Sequence, residues 1–229
     1  MLKVYGVPIS VHTRKVIVAA RLKRLPFEVV PVVPVIPDNP PANWRELSPT
    51  GKIPALQDGD YTLADSAAIC AYLERQQPEP SLYPRDDRRY GWALWLEQYA
   101  GGTVFRDVVH PLFQEVFVNP KVRGVASDPG RIDDVLTRVM PDVLGYLDAM
   151  SGASFLAGDA PSVADLAVTS NLVNLHYIGF ALERQRFPKL AHLFDRVIRI
   201  PAMIEALRAE QPVVRQMGLK GDFLNAVLG

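Results

Sequence analysis

The first 75 residues alternate short apolar runs with longer stretches of helical periodicity. This pattern predicts strands at 2–5, 27–33, 53–57 and 61–63, and helices at 11–25 and 67–75. The 27–33 run is apolar and β-branched, which is typical of a buried parallel strand. Asp58-Gly59 is a strong hairpin signal, and the prolines within 34–43 favour a loop there. The predicted order is therefore βαβ, a loop, and ββα.

Beyond residue 85 the apolar positions follow an almost entirely helical period. Helices are predicted at 88–118, 132–150, 188–200 and 201–210, and another begins at Ser162. Pro111 should kink or break the first of them. Ser162 and Asp165 have the spacing of a capping box. We therefore expect an α/β domain at 1–77, a proline-rich linker at 78–87, and an all-helical domain at 88–229.

Composition narrows the classes of function. The 229 residues include 25 Lys+Arg and 25 Asp+Glu, a balance that argues against a nucleic-acid partner. There is no signal peptide pattern and no apolar run long enough to span a bilayer, so we expect a cytoplasmic protein that does not bind membranes. The single cysteine, Cys70, excludes an intrachain disulfide and should be buried and inert. No metal-ligand spacing or phosphate loop is present, and no metal is expected.

A candidate binding site follows from the stretch around Pro54. Proline cannot donate to a sheet ladder, and a cis Ile53-Pro54 bond would leave the N–H and C=O of Ile53 free to pair with another peptide. Some ten residues later, Asp65-Ser66 opens a helix whose N-terminal N–H groups favour a carboxylate. Together these features suit a small anionic peptide.

Ser10 lies in the turn between the first strand and the first helix. Serine is a preferred helix N-cap, so capping alone would explain it. The alternative is that its hydroxyl donates to a ligand atom. His12, two residues further on, is expected to be a surface or capping residue because no carboxylate is near it in the sequence.

Three motifs, in order, resemble one enzyme family. Residues 4–16 resemble the first strand, active-site turn and first helix of serine-type glutathione S-transferases, the phi-like and related bacterial classes. Lys52-Ile53-Pro54 followed by Asp65-Ser66 resembles that family's glutathione half-site, and residues 161–167 are similar to its capping motif in the sixth helix. The resemblance spans essentially the whole chain. It implies a thioredoxin-like N-terminal domain followed by a helical bundle.

The resemblance also assigns roles at the site, with glutathione as the co-substrate. Ser10 would stabilise the glutathione thiolate, with Thr13 as a possible partner in that role. Pro54 would be the cis-proline corner, and the backbone of Ile53 would pair with the cysteinyl unit. Lys52 would face the glycyl carboxylate.

The same resemblance implies that Asp65 and Ser66 bind the γ-glutamyl end of glutathione. Ser66 would meet the carboxylate and Asp65 would orient the ammonium group. The preceding segment, 43–45, is where the family often supplies a further contact.

The resemblance implies a transferase that conjugates glutathione to a small apolar electrophile and acts as a homodimer in detoxification. The acceptor pocket should be lined from the first long C-terminal helix; candidates are Trp95, Tyr99, Phe105, Arg106, His110 and Phe113. Two alternatives remain open: a glutathione-dependent isomerase or dehalogenase, and a non-catalytic module that carries ligands or assembles with other proteins.

Overall fold

The N-terminal half contains a four-stranded mixed sheet and three helices. The computed structural model describes residues 1–34, 36, 39–152 and 154–228. The elements of this half are β1 (Leu2–Tyr5), α1 (Val11–Leu22), β2 (Phe27–Val30), α2 (Trp44–Leu47), β3 (Ala55–Asp58), β4 (Tyr61–Ala64) and α3 (Ser66–Gln76). The predicted βαβ-ββα order is confirmed.

The strands lie in the order β2-β1-β3-β4. Val4 of β1 pairs with Val29 in parallel and with Leu56 in antiparallel orientation. This is a thioredoxin-like sheet, as predicted. β2 is parallel but is a half-buried edge strand that ends at Val30, so the expectation of a buried strand through residue 33 is wrong.

Several element bounds in this half differ from the sequence prediction, and one helix in it was not predicted. α1 ends at Leu22 rather than at residue 25, because Arg24 adopts a left-handed φ of 54° that no α-helix can continue through. In the loop predicted at 34–43, residues 35, 37 and 38 lie outside the described residues. The short helix α2 at Trp44–Leu47, which follows that loop, was not predicted.

The C-terminal half is helical, as predicted. Its helices are α4 (87–123), α5 (129–150), α6 (Val163–Tyr177), α7 (Pro188–Val197), α8 (Pro201–Gln216) and α9 (Asp222–Leu228). α4 and α5 each combine α-helical and wider π-helical turns; the π segments are Ala100–Val109, Gln114–Arg123 and Val135–Val139. α8 runs past the predicted end at 210, and α9 was not predicted. No helix in the described part of the chain is both long and apolar enough to cross a membrane.

Pro111 does not break α4; a kink there, the other outcome that was predicted, stays a prediction. The π segment ends just before it, at Val109, and the N–H of His110 donates to the carbonyl of Phe105, five residues back. Because the hydrogen-bond ladder has already changed its spacing there, the missing proline N–H is accommodated within a continuous helix.

The predicted capping box begins α6. The Asp165 carboxylate accepts from the N–H of Ser162 at 2.8 Å, from its hydroxyl at 2.6 Å, and from the N–H of Leu156 at 2.8 Å. α6 is buried along nearly its whole length and packs against α1 and α4, so it is the central helix of the molecule.

The segment between α3 and α4 is held by a buried charge pair. Lys23 Nζ lies 2.5 Å from Glu74 Oε2 and donates to the carbonyls of Gln77 at 2.8 Å and Pro80 at 3.1 Å. Glu74 also accepts from the Ser81 hydroxyl at 2.7 Å. The connection is therefore anchored to α1 on both sides of the Glu79-Pro80 bond, which is cis.

Candidate functional site

The Ile53-Pro54 bond is cis and directly precedes β3. Pro54 is buried, and Ile53 is half-buried. Among the described residues, neither the N–H nor the C=O of Ile53 has a hydrogen-bond partner. The corner therefore presents one free donor and one free acceptor to a ligand with a peptide backbone.

This corner packs against the turn that joins β1 to α1. A Cβ built on Gly6 would lie 3.4 Å from Ile53 Cβ and only 2.5 Å from Thr13 Oγ1. Gly6 has a φ of +153°, so both its backbone and its neighbours require glycine. The close approach brings Ile53 beside the residues that begin α1.

Ser10 caps α1, and this contact leaves its proton available. Its Oγ accepts from the Thr13 N–H at a long 3.5 Å. Because a hydroxyl can accept and donate at once, capping and donation to a ligand are compatible. Thr13 is fully buried, and its hydroxyl faces Gly6 out of contact with solvent. Of the two, Ser10 is the hydroxyl that a ligand can reach.

Asp65 and Ser66 form the second part of the site. Asp65 caps α3, with Oδ1 accepting from Ala67 N–H at 2.8 Å and Ala68 N–H at 3.3 Å. The Ser66 hydroxyl and N–H have no hydrogen-bond partner in the part of the chain that the structure describes. A helix N-terminus with free donors and a nearby carboxylate suits a group that carries both a carboxylate and an ammonium.

Lys52 is exposed, and its ammonium forms no ion pair with any described residue. Its backbone is fixed, because its carbonyl accepts from the Ser48 hydroxyl at 2.6 Å. A charged side chain on a fixed backbone is free to meet an anionic ligand next to Ile53.

His12 belongs to this site and is half-buried, whereas the sequence suggested a surface or capping residue. Its ring packs edge-on against Phe105 of α4, with 4.6 Å between centroids. Burial lowers the pKa of His12 to about 4, helped by the positive charges of Lys15 and Lys52 and opposed by Asp65. The start of α1, the corner at Lys52 and the start of α3 are thus close enough to act on one imidazole. Its only sequence signal is its position two residues after Ser10.

The predicted acceptor-lining residues separate into two groups. Phe105 lies against His12, and His110 lies 5.6 Å from Phe105, with a pKa lowered by burial and then by Arg131 and Lys52. Trp95 and Tyr99 instead pack on Tyr146 of α5; Trp95 Nε1 donates to the Tyr146 hydroxyl at 2.7 Å. The helix therefore places Phe105 beside the start of α1, while Trp95 and Tyr99, nearer to its own start, contact α5.

The other two candidates make local contacts. The guanidinium of Arg106 pairs with its neighbour Asp107 at 2.6 Å, and Phe113 stacks on Phe117 at 5.1 Å. Neither contact reaches the residues of the α1 turn.

Comparison with protein families gives two matches in the same order as the two halves. The model of the glutathione S-transferase N-terminal domain matches residues 4–81. The model of the glutathione S-transferase C-terminal domain matches residues 106–209. Together they cover most of the chain.

Similar proteins and solved structures agree with these matches. Glutathione S-transferase Z2 of Arabidopsis thaliana is 26% identical over 216 residues, covering 92% of each chain. A glutathione S-transferase structure from Rhodospirillum rubrum F11 superposes with a TM-score of 0.80 at 27% identity, covering 90% of this chain and 92% of that one. Glutathione transferase F7 from Populus trichocarpa gives a TM-score of 0.78 at 25% identity, covering 91% and 98%.

Proposed function

The chain belongs to the glutathione S-transferase family, enzymes whose co-substrate is glutathione, and from that premise we propose that it adds the glutathione thiolate to a small apolar electrophile. In this proposal Ser10 stabilises the thiolate. The family membership accords with the serine-type resemblance of residues 4–16.

One observation carries the proposal. An available Ser10 hydroxyl, an unpaired Ile53 backbone and the open N-terminus at Asp65-Ser66 all border the start of α1. In this proposal they hold one extended tripeptide, with its γ-glutamyl end at Asp65 and Ser66, its cysteinyl unit against Ile53 and its glycyl carboxylate towards Lys52.

The proposed chemistry is stabilisation of an anion. A free thiol has a pKa near 8.5, so only a few per cent is ionised at pH 7. A hydroxyl donor and the N-terminus of α1 both favour the thiolate. Each unit by which the thiol pKa falls needs about 1.4 kcal/mol, which one charge-assisted hydrogen bond supplies. The thiolate sulfur then forms a bond to the electrophilic carbon held beside it. With an aryl halide the carbon–halogen bond breaks and halide leaves; with an isothiocyanate the C=N π bond opens and the nitrogen takes a proton from solvent.

Titration of bound glutathione tests the role of Ser10. Ser10→Ala should raise the pKa of the bound thiol by about one unit, measured by thiolate absorbance at saturating glutathione. Asp86→Ala is the matched control, because Asp86 caps α4 through a 2.9 Å contact with Arg89 N–H. It should lower stability and leave the thiol unchanged. An unshifted thiol in Ser10→Ala would reduce Ser10 to a helix cap.

Calorimetry tests where glutathione lies. The double variant Asp65→Ala/Ser66→Ala should weaken glutathione binding at least tenfold, because it removes the partners of the γ-glutamyl group. Unchanged affinity would contradict this placement and leave the α1 turn as the only anchor.

The acceptor should be small and apolar. The net charge of zero gives no long-range attraction for polyanions, and Phe105 supplies an apolar wall. We expect weak activity with several aryl halides or isothiocyanates. A narrow isomerase or dehalogenase remains the second candidate, favoured if all such electrophiles are inert while glutathione still binds. A carrier module is disfavoured because it has no need of Ser10.

We also propose a homodimer and, with a single buried cysteine, a cytoplasmic location. Near the start of α4, Trp92 and Trp95 are 46% and 49% exposed, and their spacing of three residues places them on one side of the helix. Large exposed aromatic side chains are unusual for a surface facing water. A symmetric contact across this side would cover them.

Light scattering tests the dimer. The mass should be twice that of the 25.4 kDa chain, and Trp92→Asp should shift it towards the monomer. Val125→Asp is the control, because Val125 is equally exposed but lies beyond the far end of α4. A monomer in the unaltered protein would reject the proposal.

A further inference from the structure

The guanidinium of Arg14 in α1 is fully buried and uses all five of its N–H donors. Nε and Nη2 form a bidentate pair with Glu210 of α8 at 2.7 and 2.8 Å. Nη1 donates to the Ser170 carbonyl at 2.8 Å and to Asn174 Oδ1 at 2.9 Å, both in α6. The fifth N–H, on Nη2, reaches the carbonyl of Ile9 at 3.3 Å.

The Ile9 carbonyl has a second side-chain donor. Asn174 Nδ2 donates to it at 3.1 Å. Ile9 is the residue before Ser10, and its carbonyl belongs to the peptide unit that carries the Ser10 N–H. Both donors to this carbonyl therefore act on the peptide plane that aims Ser10.

Asn174 has a combination of roles that few side chains can fill. Its amide oxygen accepts from Arg14 while its amide nitrogen donates to Ile9. An aliphatic residue would leave the guanidinium one acceptor short and leave the carbonyl with the longer Arg14 contact alone. The peptide plane would then be held by that contact and by the bond from the Ser10 N–H to the Val7 carbonyl at 3.0 Å, with its carbonyl end less firmly fixed.

We propose that Asn174, acting with Arg14 through the Ile9 carbonyl, is a positioning residue for the Ser10 turn, so that the C-terminal domain sets the reactivity of glutathione bound to the N-terminal domain. This rests on the proposed function. It does not require Ser10 Oγ itself to be the donor, since a backbone N–H of the same turn would be positioned in the same way.

The test compares Asn174→Ala with Tyr177→Phe. Tyr177 donates to Glu210 Oε2 at 2.7 Å, so the control removes one hydrogen bond from the same buried network without touching Ile9. Both variants should lower the melting temperature. Only Asn174→Ala should raise the pKa of bound glutathione, by about 0.5–1 unit. Its kcat/KM should fall threefold to tenfold at pH 6.5 and recover near pH 9, with the affinity for glutathione little changed.

Four results overturn the proposal. One is an unshifted thiol titration in Asn174→Ala, and another is an equal shift in Tyr177→Phe. A third is a loss of kcat/KM that is the same at every pH. If Asn174→Ala does not fold, Asn174→Ser is tested in its place, and failure of both to fold makes Asn174 purely structural. Ser10→Ala distinguishes failure of the role proposed for Ser10 from failure of the positioning role. If Ser10→Ala leaves the pKa of the bound thiol unchanged while Asn174→Ala shifts it, the role of Ser10 fails and the positioning role stands.

Discussion

Asp65 shows what a single residue contributes to the site. Its φ of +77° and ψ of 128° lie in a region that residues other than glycine rarely adopt, at a cost of about 1–3 kcal/mol. Its carboxylate offsets part of this cost by capping α3. A strained backbone at a residue that also caps α3 is consistent with a ligand contact in addition to the cap.

Two substitutions separate strain from capping at this position. Asp65→Ala keeps the strain and loses the cap, so the free energy of unfolding should fall by about 1 kcal/mol. Asp65→Gly also loses the cap but relieves the strain, so its stability should exceed that of Asp65→Ala by about 1 kcal/mol. Urea denaturation measures both. Equal stabilities would contradict a strained Asp65, and glutathione affinity should fall in both variants.

His12 should make stability depend on pH. Its pKa is about 4 in the folded protein and 6.5 ordinarily, so the unfolded chain binds more protons between these values and stability falls as pH drops through this window. Because the ring keeps some contact with solvent, we expect a loss of about 1–2 kcal/mol. The melting temperature of His12→Gln should therefore fall less between pH 6.5 and 4.5 than that of the unaltered protein. Parallel curves would contradict a neutral, buried His12.

Sequence reasoning at this scale was limited by contacts that are distant along the chain. Ser10, Ile53, Pro54 and Asp65 could be singled out because their local neighbours determine a turn, a corner or a cap. His12 could not, since its environment depends on Phe105 and Lys52.

At the scale of elements, α1 carries the connection between the two domains. Four charged residues, three in α1 and Lys23 directly after it, pair with acids that lie far along the chain. The pairs are Arg14–Glu210, Lys15–Glu97, Arg21–Glu205 and Lys23–Glu74. The sequence showed positive charges along the predicted helix but not that three of these four are buried, because each partner lies 51 or more positions away. We place the division between the domains at 78–87, in the segment that Lys23 and Glu74 anchor.

The Lys15–Glu97 pair gives a test at this scale. The two side chains are 4% and 2% exposed and 2.7 Å apart. Glu97→Ala leaves the ammonium buried without a partner and should lower the free energy of unfolding by about 3–5 kcal/mol. Lys15→Met/Glu97→Leu should recover most of that loss, because an apolar pair of similar volume needs no partner.

Chemical denaturation measures the free energy of unfolding of Glu97→Ala and of the double variant. Arg138→Ala is the control, because it removes an exposed ion pair and should change the unfolding midpoint little. A double variant as unstable as Glu97→Ala would show that the cavity, and not the unpaired charge, is responsible.

At the scale of the whole molecule, one apolar core crosses the domain division. Val16 and Ile17 of α1 belong to the same buried cluster as Leu166 and Leu172 of α6. A second, smaller cluster around Trp44 lies on the N-terminal half alone. The larger cluster, together with the buried ion pairs, predicts that neither half unfolds before the other.

The tryptophans report on the two halves separately. Trp44 lies in the N-terminal half, and Trp92 and Trp95 lie in α4. In each of the variants Trp44→Phe and Trp92→Phe/Trp95→Phe, the fluorescence midpoint in urea should therefore coincide with the circular dichroism midpoint of the same variant, at one protein concentration. A fluorescence midpoint that departs from the circular dichroism midpoint of the same variant would mean that the two halves unfold independently.

The burial of Cys70 affects how the protein withstands compounds that modify thiols. It is the only cysteine, it is fully buried in α3, and burial raises its pKa to about 12. At neutral pH only about one such thiol in 10⁵ is ionised. Under the proposed function the protein meets alkylating compounds, and it presents them with no thiolate of its own that competes with glutathione. Its resistance to alkylation through many turnovers in a mixture of electrophiles then depends on α3 staying packed around Cys70 rather than on a scavenging compound.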